Sequence, residues 1–440
     1  MTSLWSRAAE LASKAPPTRN RTVDFFRAVS ILAVISGHWL AAAPYVGSDG
    51  RLVPGHLLEV SDWTHWLTWV IQVMPIFFIV GGFSNGLTWR AARQKNEPYR
   101  AWLGGRLKRL VWPVLPLLAT WTVGGAVAHE FGASVSLVSA GSQMALIPTW
   151  FLAVYVGVVV LVPITHALWE RFRWASIFGF VAAAVAVDAA FWRGFHALGW
   201  VNYLFVWSAV HQLGYAWSEG ELADLRRTVP MFVIGLGLLI LLTTIGPYPR
   251  AMVGVPGDAV SNTTPPKITL IALAWAQAGF LLSLQRPLAR WLARERPWTA
   301  TVLVNGLIMT IYLWHLTAMV IWIGLAYYVL GGVLMGHAPG SAEWWFARPL
   351  WFAMLALVLL PLVMIFTRFE RPKPSATTPP AWRLVTGASL IVAGLALLAL
   401  DGIGGDGWFG LRPLVLALPF AGAALIGAGG GGARHPAPSA

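Results

Sequence analysis

The feature that most constrains this chain is a succession of apolar windows, each long enough to cross a bilayer. They fall near residues 24–44, 66–89, 107–128, 149–169, 174–192, 198–217, 229–246, 268–285, 301–328 and 346–367, with two weaker ones near 384–400 and 408–428. About 20 apolar residues span the hydrocarbon core as a helix, and only helices and closed barrels satisfy their own backbone there. The windows predict an all-α fold, a polytopic transmembrane helical bundle with ten core helices plus two C-terminal helices. With 57% hydrophobic and 11% charged residues, the chain is multi-span throughout rather than a soluble enzyme on one anchor.

The connections divide the chain further. Residues 1–20 hold a short polar segment with Trp5 and Leu11, without an apolar core and cleavage site, so no signal peptide is expected. Residues 21–370 carry the core helices, 371–430 a linker and the C-terminal pair. Residues 431–440 end a low-complexity tail, GAGGGGARHPAPSA, expected to be disordered. The connection 247–267 is rich in proline and glycine and is expected to form an ordered cap.

Charge placement selects an orientation. With the N-terminus inside, the inner segments hold 24 Lys and Arg, or 25 with Arg27, against six outside. The excess of basic residues on cytoplasmic loops then puts both termini in the cytoplasm and the chain in a cell membrane. The net charge of +13 is explained by basic inner loops facing anionic lipid, so nucleic acid is not an expected partner. Without cysteine there is no disulfide, no thiolate nucleophile and no Cys-based metal site, and no metal is expected.

One stretch stands out, Arg21–Leu40, RTVDFFRAVSILAVISGHWL. Eleven residues separate Arg27 from His38, close to three helical turns, so both project from one face about 16 Å apart along the axis. A cation at the membrane edge and an imidazole about half a bilayer away thus share a wall. Arg27 could simply snorkel to headgroups and His38 could be a packing histidine, but an ionisable group inside a span marks function by default. Asp24, in the first turn, suits the helix dipole and the neighbouring Arg21 or Arg27.

Other spans also hold polar groups. Asp188 in the fifth needs a partner. Asn202, His211 and Gln212 line the sixth, and Tyr312 and His315 the ninth. Inter-helix hydrogen bonding accounts for each singly. Three intramembrane histidines with Asp188 together suggest a wet cavity. In IFFIVGGFSNGL, Gly81, Gly82, Ser84 and Asn85 fit close helix packing, or else a kink baring backbone to a tunnel. The run Arg100, Arg106, Lys108 and Arg109 either anchors the inner side or holds the phosphates of a nucleotide-bearing donor.

Taken in order, these pieces resemble the membrane acyltransferase 3 family across roughly residues 19–370. The resemblance rests on RTVDFFRAVSILAVISGHWL, FFIVGGFSNG, YRAWLGGRLKRLVWP, TWFLAVY and IYLWHL; VDAAFWRG, VNYLFVWSAVHQLG and SNTTPPK resemble its actinobacterial branch. Ala28 departs from the glycine many relatives carry there. The resemblance implies transfer of an acyl group, often acetyl, from cytoplasmic acyl-CoA to a hydroxyl of a saccharide, glycolipid or secondary metabolite. Acyl-CoA is then a co-substrate, with no cofactor bound permanently. Arg27 and His38 match the family's functional pair, and Arg106 or Arg109 its basic stretch.

On that footing the donor head lies at Arg100, Arg106, Lys108 and Arg109, and the thioester reaches His38 along the first helix. His38 acts as general base on the acceptor hydroxyl, since an imidazole titrates near working pH. A covalent acyl-histidine is open, as is the carboxylate that orients His38, for which Asp188 is better placed by depth than Asp24. The competing class is a proton-coupled transporter or flippase, in which buried His and Asp relay protons without covalent chemistry. The sequence shows no clear repeat between its halves. Acceptor identity, acyl length and oligomeric state are not legible in it.

Overall fold

The computed structural model describes residues 4–16, 19–370, 372 and 378–428; the expected disordered tail and most of the linker after the core lie outside them. The chain is an all-α polytopic protein. Among the described residues, eight helices are long and apolar enough to cross a bilayer by length and composition, or up to ten if each of two bent pairs is one span. In chain order the helices are α1 (Leu4–Ser13), α2 (Arg21–Ala41), α3 (Met74–Gln94), α4 (Tyr99–Val111), α5 (Val114–Glu130), α6 (Val135–Leu146), α7 (Thr149–Val160), α8 (Val162–Phe172), α9 (Trp174–Trp192), α10 (Asn202–Ser218), α11 (Leu225–Thr244), α12 (Ile268–Ser283), α13 (Gln285–Leu292), α14 (Glu295–Gly306), α15 (Ile308–Gly324), α16 (Ala342–Phe366), α17 (Ala381–Asp401) and α18 (Pro413–Leu425). A small hairpin pairs β1 (Tyr45–Val46) with β2 (Leu52–Val53), Tyr45 opposite Val53.

Several windows read as single spans are broken, and local chemistry says why. The window 149–169 is divided at Leu161 between α7 and α8. Pro163, just inside α8, has no N–H to continue the ladder from α7. The stretch 135–146, read as loop, is helical, and α6 meets α7 at a 51° bend beside Pro148. The window 301–328 breaks after Gly306. There Glu370 accepts from the backbone N–H groups of Met309 (2.9 Å) and Thr310 (3.0 Å) and from the Thr310 hydroxyl, satisfying orphan donors at the start of α15. The window 268–285 ends in a 54° bend into α13. The last window forms only the 13-residue α18, short for a span.

The chain divides into two compact units. The first comprises Met1–Thr88, Val162–Ile308 and Trp322–Leu355. In it α11 packs along α12, α9 along α10, and α1 along α14, where Ala12 meets Trp298 and Val302. The connection 247–267 is ordered as expected. Asn262 donates to the carbonyls of Pro249 and Ala251, and Trp69 and Gln72 donate to those of Arg250 and Met252.

The second unit comprises Trp89–Leu161, Met309–Ile321 and Ala356–Ala440. There α17 packs against α18 and α7. A Cβ on Gly422 would come within 2.5 Å of the Gly387 carbonyl oxygen, so small residues set that approach.

Candidate active site

Helix α2 begins with a side-chain cap. The Asn20 amide oxygen accepts from the N–H groups of Thr22 (3.1 Å) and Val23 (3.2 Å), two of the orphan donors of the first turn. One turn in, the buried Asp24 carboxylate receives Arg19 at 2.6 Å and Arg27 at 3.4 Å. Of the two neighbours expected beside Asp24, Arg27 is there and Arg21 is not. Arg21 turns to the Leu292 carbonyl (2.7 Å) and stacks over Trp298. Arg27 also donates to the Ser84 hydroxyl of α3 at 3.2 Å. Its half-buried guanidinium is thus aimed by one carboxylate and one hydroxyl.

The helix then runs without a break to Ala41, so the eleven-residue spacing holds and His38 lies in its last full turns. His38 is half-buried. Beyond it the chain turns through the hairpin and returns at His56, whose imidazole is within electrostatic reach of His38. His56 caps a short helical turn. Its Nδ1 accepts from the Leu58 N–H (3.3 Å), while Glu59 accepts from the His56 N–H (3.2 Å). Burial pushes the His56 imidazole below its ordinary pKa, with the Glu59 carboxylate opposing. Sequence reasoning missed His56, because a histidine in a polar connection carries no signal until the fold brings it to His38.

Asp188 does not orient His38. Its carboxylate, 1% exposed, accepts from Asn202 Nδ2 (2.8 Å), the Tyr248 hydroxyl (3.1 Å) and the Ile268 N–H (2.9 Å). Lys267, fully buried, lies within its electrostatic reach and rests its ammonium 3.5 Å from the centre of the Phe191 ring. The cluster ties the 247–267 cap to α9 and α10. Asn202 and His211, on one helix, go to different neighbours.

His211 is fully buried and pairs through Nε2 with Asn85 Nδ2 at 3.1 Å, linking α10 to α3. Its ring meets Tyr215 edge-on, and the Tyr215 hydroxyl pairs with Thr165 at 3.0 Å. α3 itself is one unbroken helix, which decides for packing over a kink at Gly81 and Gly82. The first unit also holds a small apolar cleft lined by residues such as Phe26, Ile79, Trp217 and Leu282.

In the second unit the basic run lies on α4. Arg100 and Arg109 are exposed, Arg106 and Lys108 half-buried, with Arg106 over the Trp102 ring. On α15, Tyr312 donates to the Pro148 carbonyl (2.9 Å), and His315 Nδ1 pairs with the Tyr312 carbonyl of its own helix (2.6 Å). Both are buried.

A family profile described as an acyltransferase domain matches residues 20–368. The chain belongs to the membrane acyltransferase 3 family. The match starts at the Asn20 cap of α2 and ends shortly after α16, so the Arg27–His38 helix and the basic helix α4 of this acyltransferase both lie inside it. No curated protein and no solved structure matches the chain. In this acyltransferase Ala28 is buried, one residue from Arg27, where a methyl group is accommodated in the packing.

Proposed function

We propose that this acyltransferase moves an acyl group, acetyl in the family's usual case, from cytoplasmic acyl-CoA to a hydroxyl of a saccharide, glycolipid or secondary metabolite at the cell membrane. One observation carries the reading: a single unbroken helix, α2, presents an aimed, half-buried guanidinium at Arg27 and a half-buried imidazole at His38 on one face.

In the reaction His38 accepts the proton of the acceptor hydroxyl while that oxygen bonds to the thioester carbonyl carbon. The C–S bond then breaks, and the imidazolium returns its proton to the departing thiolate, leaving an ester and CoA thiol. Holding donor and acceptor together supplies much of the acceleration. Arg100, Arg106, Lys108 and Arg109 are assigned to the donor's phosphates on their charge and on the family's basic stretch.

Purified protein in nanodiscs, given acetyl-CoA and a pool of acceptor glycans, releases thiol in a His38-dependent way. A folded His38→Ala protein releasing thiol at the wild-type rate would remove the mechanism. Acceptor movement across the membrane without thiol release would favour a transporter. Mass spectrometry of envelope glycans and secreted metabolites, with and without the gene, names acyl group and acceptor together.

A further inference from the structure

The helix turn that carries His38 has to end inside the protein, and its last carbonyls need donors. His38 O accepts from the Ala42 N–H at 3.1 Å, while the Ala43 N–H goes to the Gly55 carbonyl at 2.9 Å rather than back to Trp39; the Trp39 and Ala42 carbonyls lie at this helix end. Both are met from α16. Trp351 Nε1 donates to Trp39 O at 3.0 Å and Arg348 Nη1 donates to Ala42 O at 3.1 Å. Arg348 and Trp351 are three residues apart, hence one turn apart on one face of α16. Phe352, the next residue, packs edge-on against the Trp39 ring.

Arg348 is an unusual choice of donor. Its side chain is 5% exposed, and among the described residues no carboxylate pairs with it. Its guanidinium lies 3.8 Å from the centre of the Trp344 ring and 4.8 Å from that of Trp351. A buried cation without a counter-ion is costly, and a neutral donor would satisfy one carbonyl at less expense. Two aromatic faces and the negative end of the α2 dipole are what offset that cost here. The arrangement is rigid, because planar guanidinium and two indoles fix one another's orientation.

We infer that Arg348 is a positioning residue: sandwiched between Trp344 and Trp351, it locks the C-terminal turn of α2 and thereby sets where the His38 imidazole stands relative to the reacting groups. The inference rests on the catalytic reading of His38. It gives Arg348, one of the six basic residues that the charge count places outside, a task that charge counting does not suggest.

The test compares Arg348→Met, Arg348→Lys, Trp351→Phe and His38→Ala in nanodiscs, with thiol release expressed per acyl-CoA binding site so that misfolded protein does not count. Arg348→Met lowers kcat by about 10- to 100-fold while KM for the donor stays within about two-fold, the signature of displaced chemistry rather than lost binding. Arg348→Lys, which keeps charge and donor but not the stack, recovers part of kcat. Where Arg348→Met does not accumulate, Trp351→Phe carries the test, since it removes a single donor from the same turn, and it too lowers kcat without moving KM. An inactive His38→Ala beside an Arg348→Met of wild-type kcat, or one whose loss lies wholly in donor binding, overturns the positioning role alone. An active His38→Ala overturns the catalytic reading and the positioning role with it.

Discussion

Gly82 of α3 and Gly214 of α10 face each other so closely that a Cβ on Gly82 would stand 3.1 Å from the Gly214 Cα and 1.9 Å from the His211 carbonyl oxygen. Two helices meet here backbone to backbone, as small residues allow inside a membrane. That approach places Ser84 and Asn85 where they can hold Arg27 and His211. Gly82→Ala forces the helices apart and destabilises the protein by about 3 kcal/mol or more. A large fall in the thermal midpoint in detergent is expected, and an unchanged midpoint would contradict the contact.

His38→Ala lowers acyl transfer by about 10²- to 10⁴-fold, the usual weight of a general base. Its thermal midpoint falls by less than that of a fully buried core truncation, because His38 is half-buried. Arg27→Ala, by contrast, loses activity and some stability, since Asp24 and Ser84 both lose a partner.

Asp188→Asn keeps the shape of its hydrogen-bonded site but leaves the Lys267 ammonium buried without its compensating charge. A loss of about 3–5 kcal/mol is expected. Adding Lys267→Met to Asp188→Asn recovers much of it. Equal melting of the single and double variants would show that the two charges are not coupled.

Acid should loosen the connection after α2 through His56. Its folded pKa lies below the ordinary value of 6.5, so the unfolded chain takes up the proton first. Stability therefore falls as pH drops from about 6.5 towards the folded pKa. The protonated ring also loses the Nδ1 lone pair that accepts from Leu58. A His56→Gln variant flattens the dependence of the thermal midpoint between pH 7.5 and 5; an unchanged slope would contradict it.

Arg106→Ala with Arg109→Ala raises KM for acyl-CoA by about ten-fold, the weight of one or two charge-assisted bonds to phosphate, while kcat at saturating donor changes little. Steady-state kinetics over a range of donor concentrations separates the two effects. A drop in kcat with KM unchanged would place donor binding elsewhere.

Apolar run length and charge settled much of this molecule without any help from folding. Helices had to form where some 20 residues could not expose their backbone to lipid, and the Arg27–His38 spacing on one such helix needed only the α-helical repeat. Breaks inside apolar windows were less legible, since Pro148, Pro163 and Gly306 act through a few local hydrogen bonds that hydropathy does not weigh. What only the tertiary structure decided was which polar groups are spent on one another. Asp188 could have oriented His38 by depth, yet Tyr248 and the Ile268 N–H claim it from 60 and 80 residues away. Arg348 reaches Ala42 across 306 residues of chain, and His56 comes to His38 through a two-stranded turn. Partnership between side chains is set by which helix faces meet, and helix-face pairing is a property of the packed chain that no local pattern encodes.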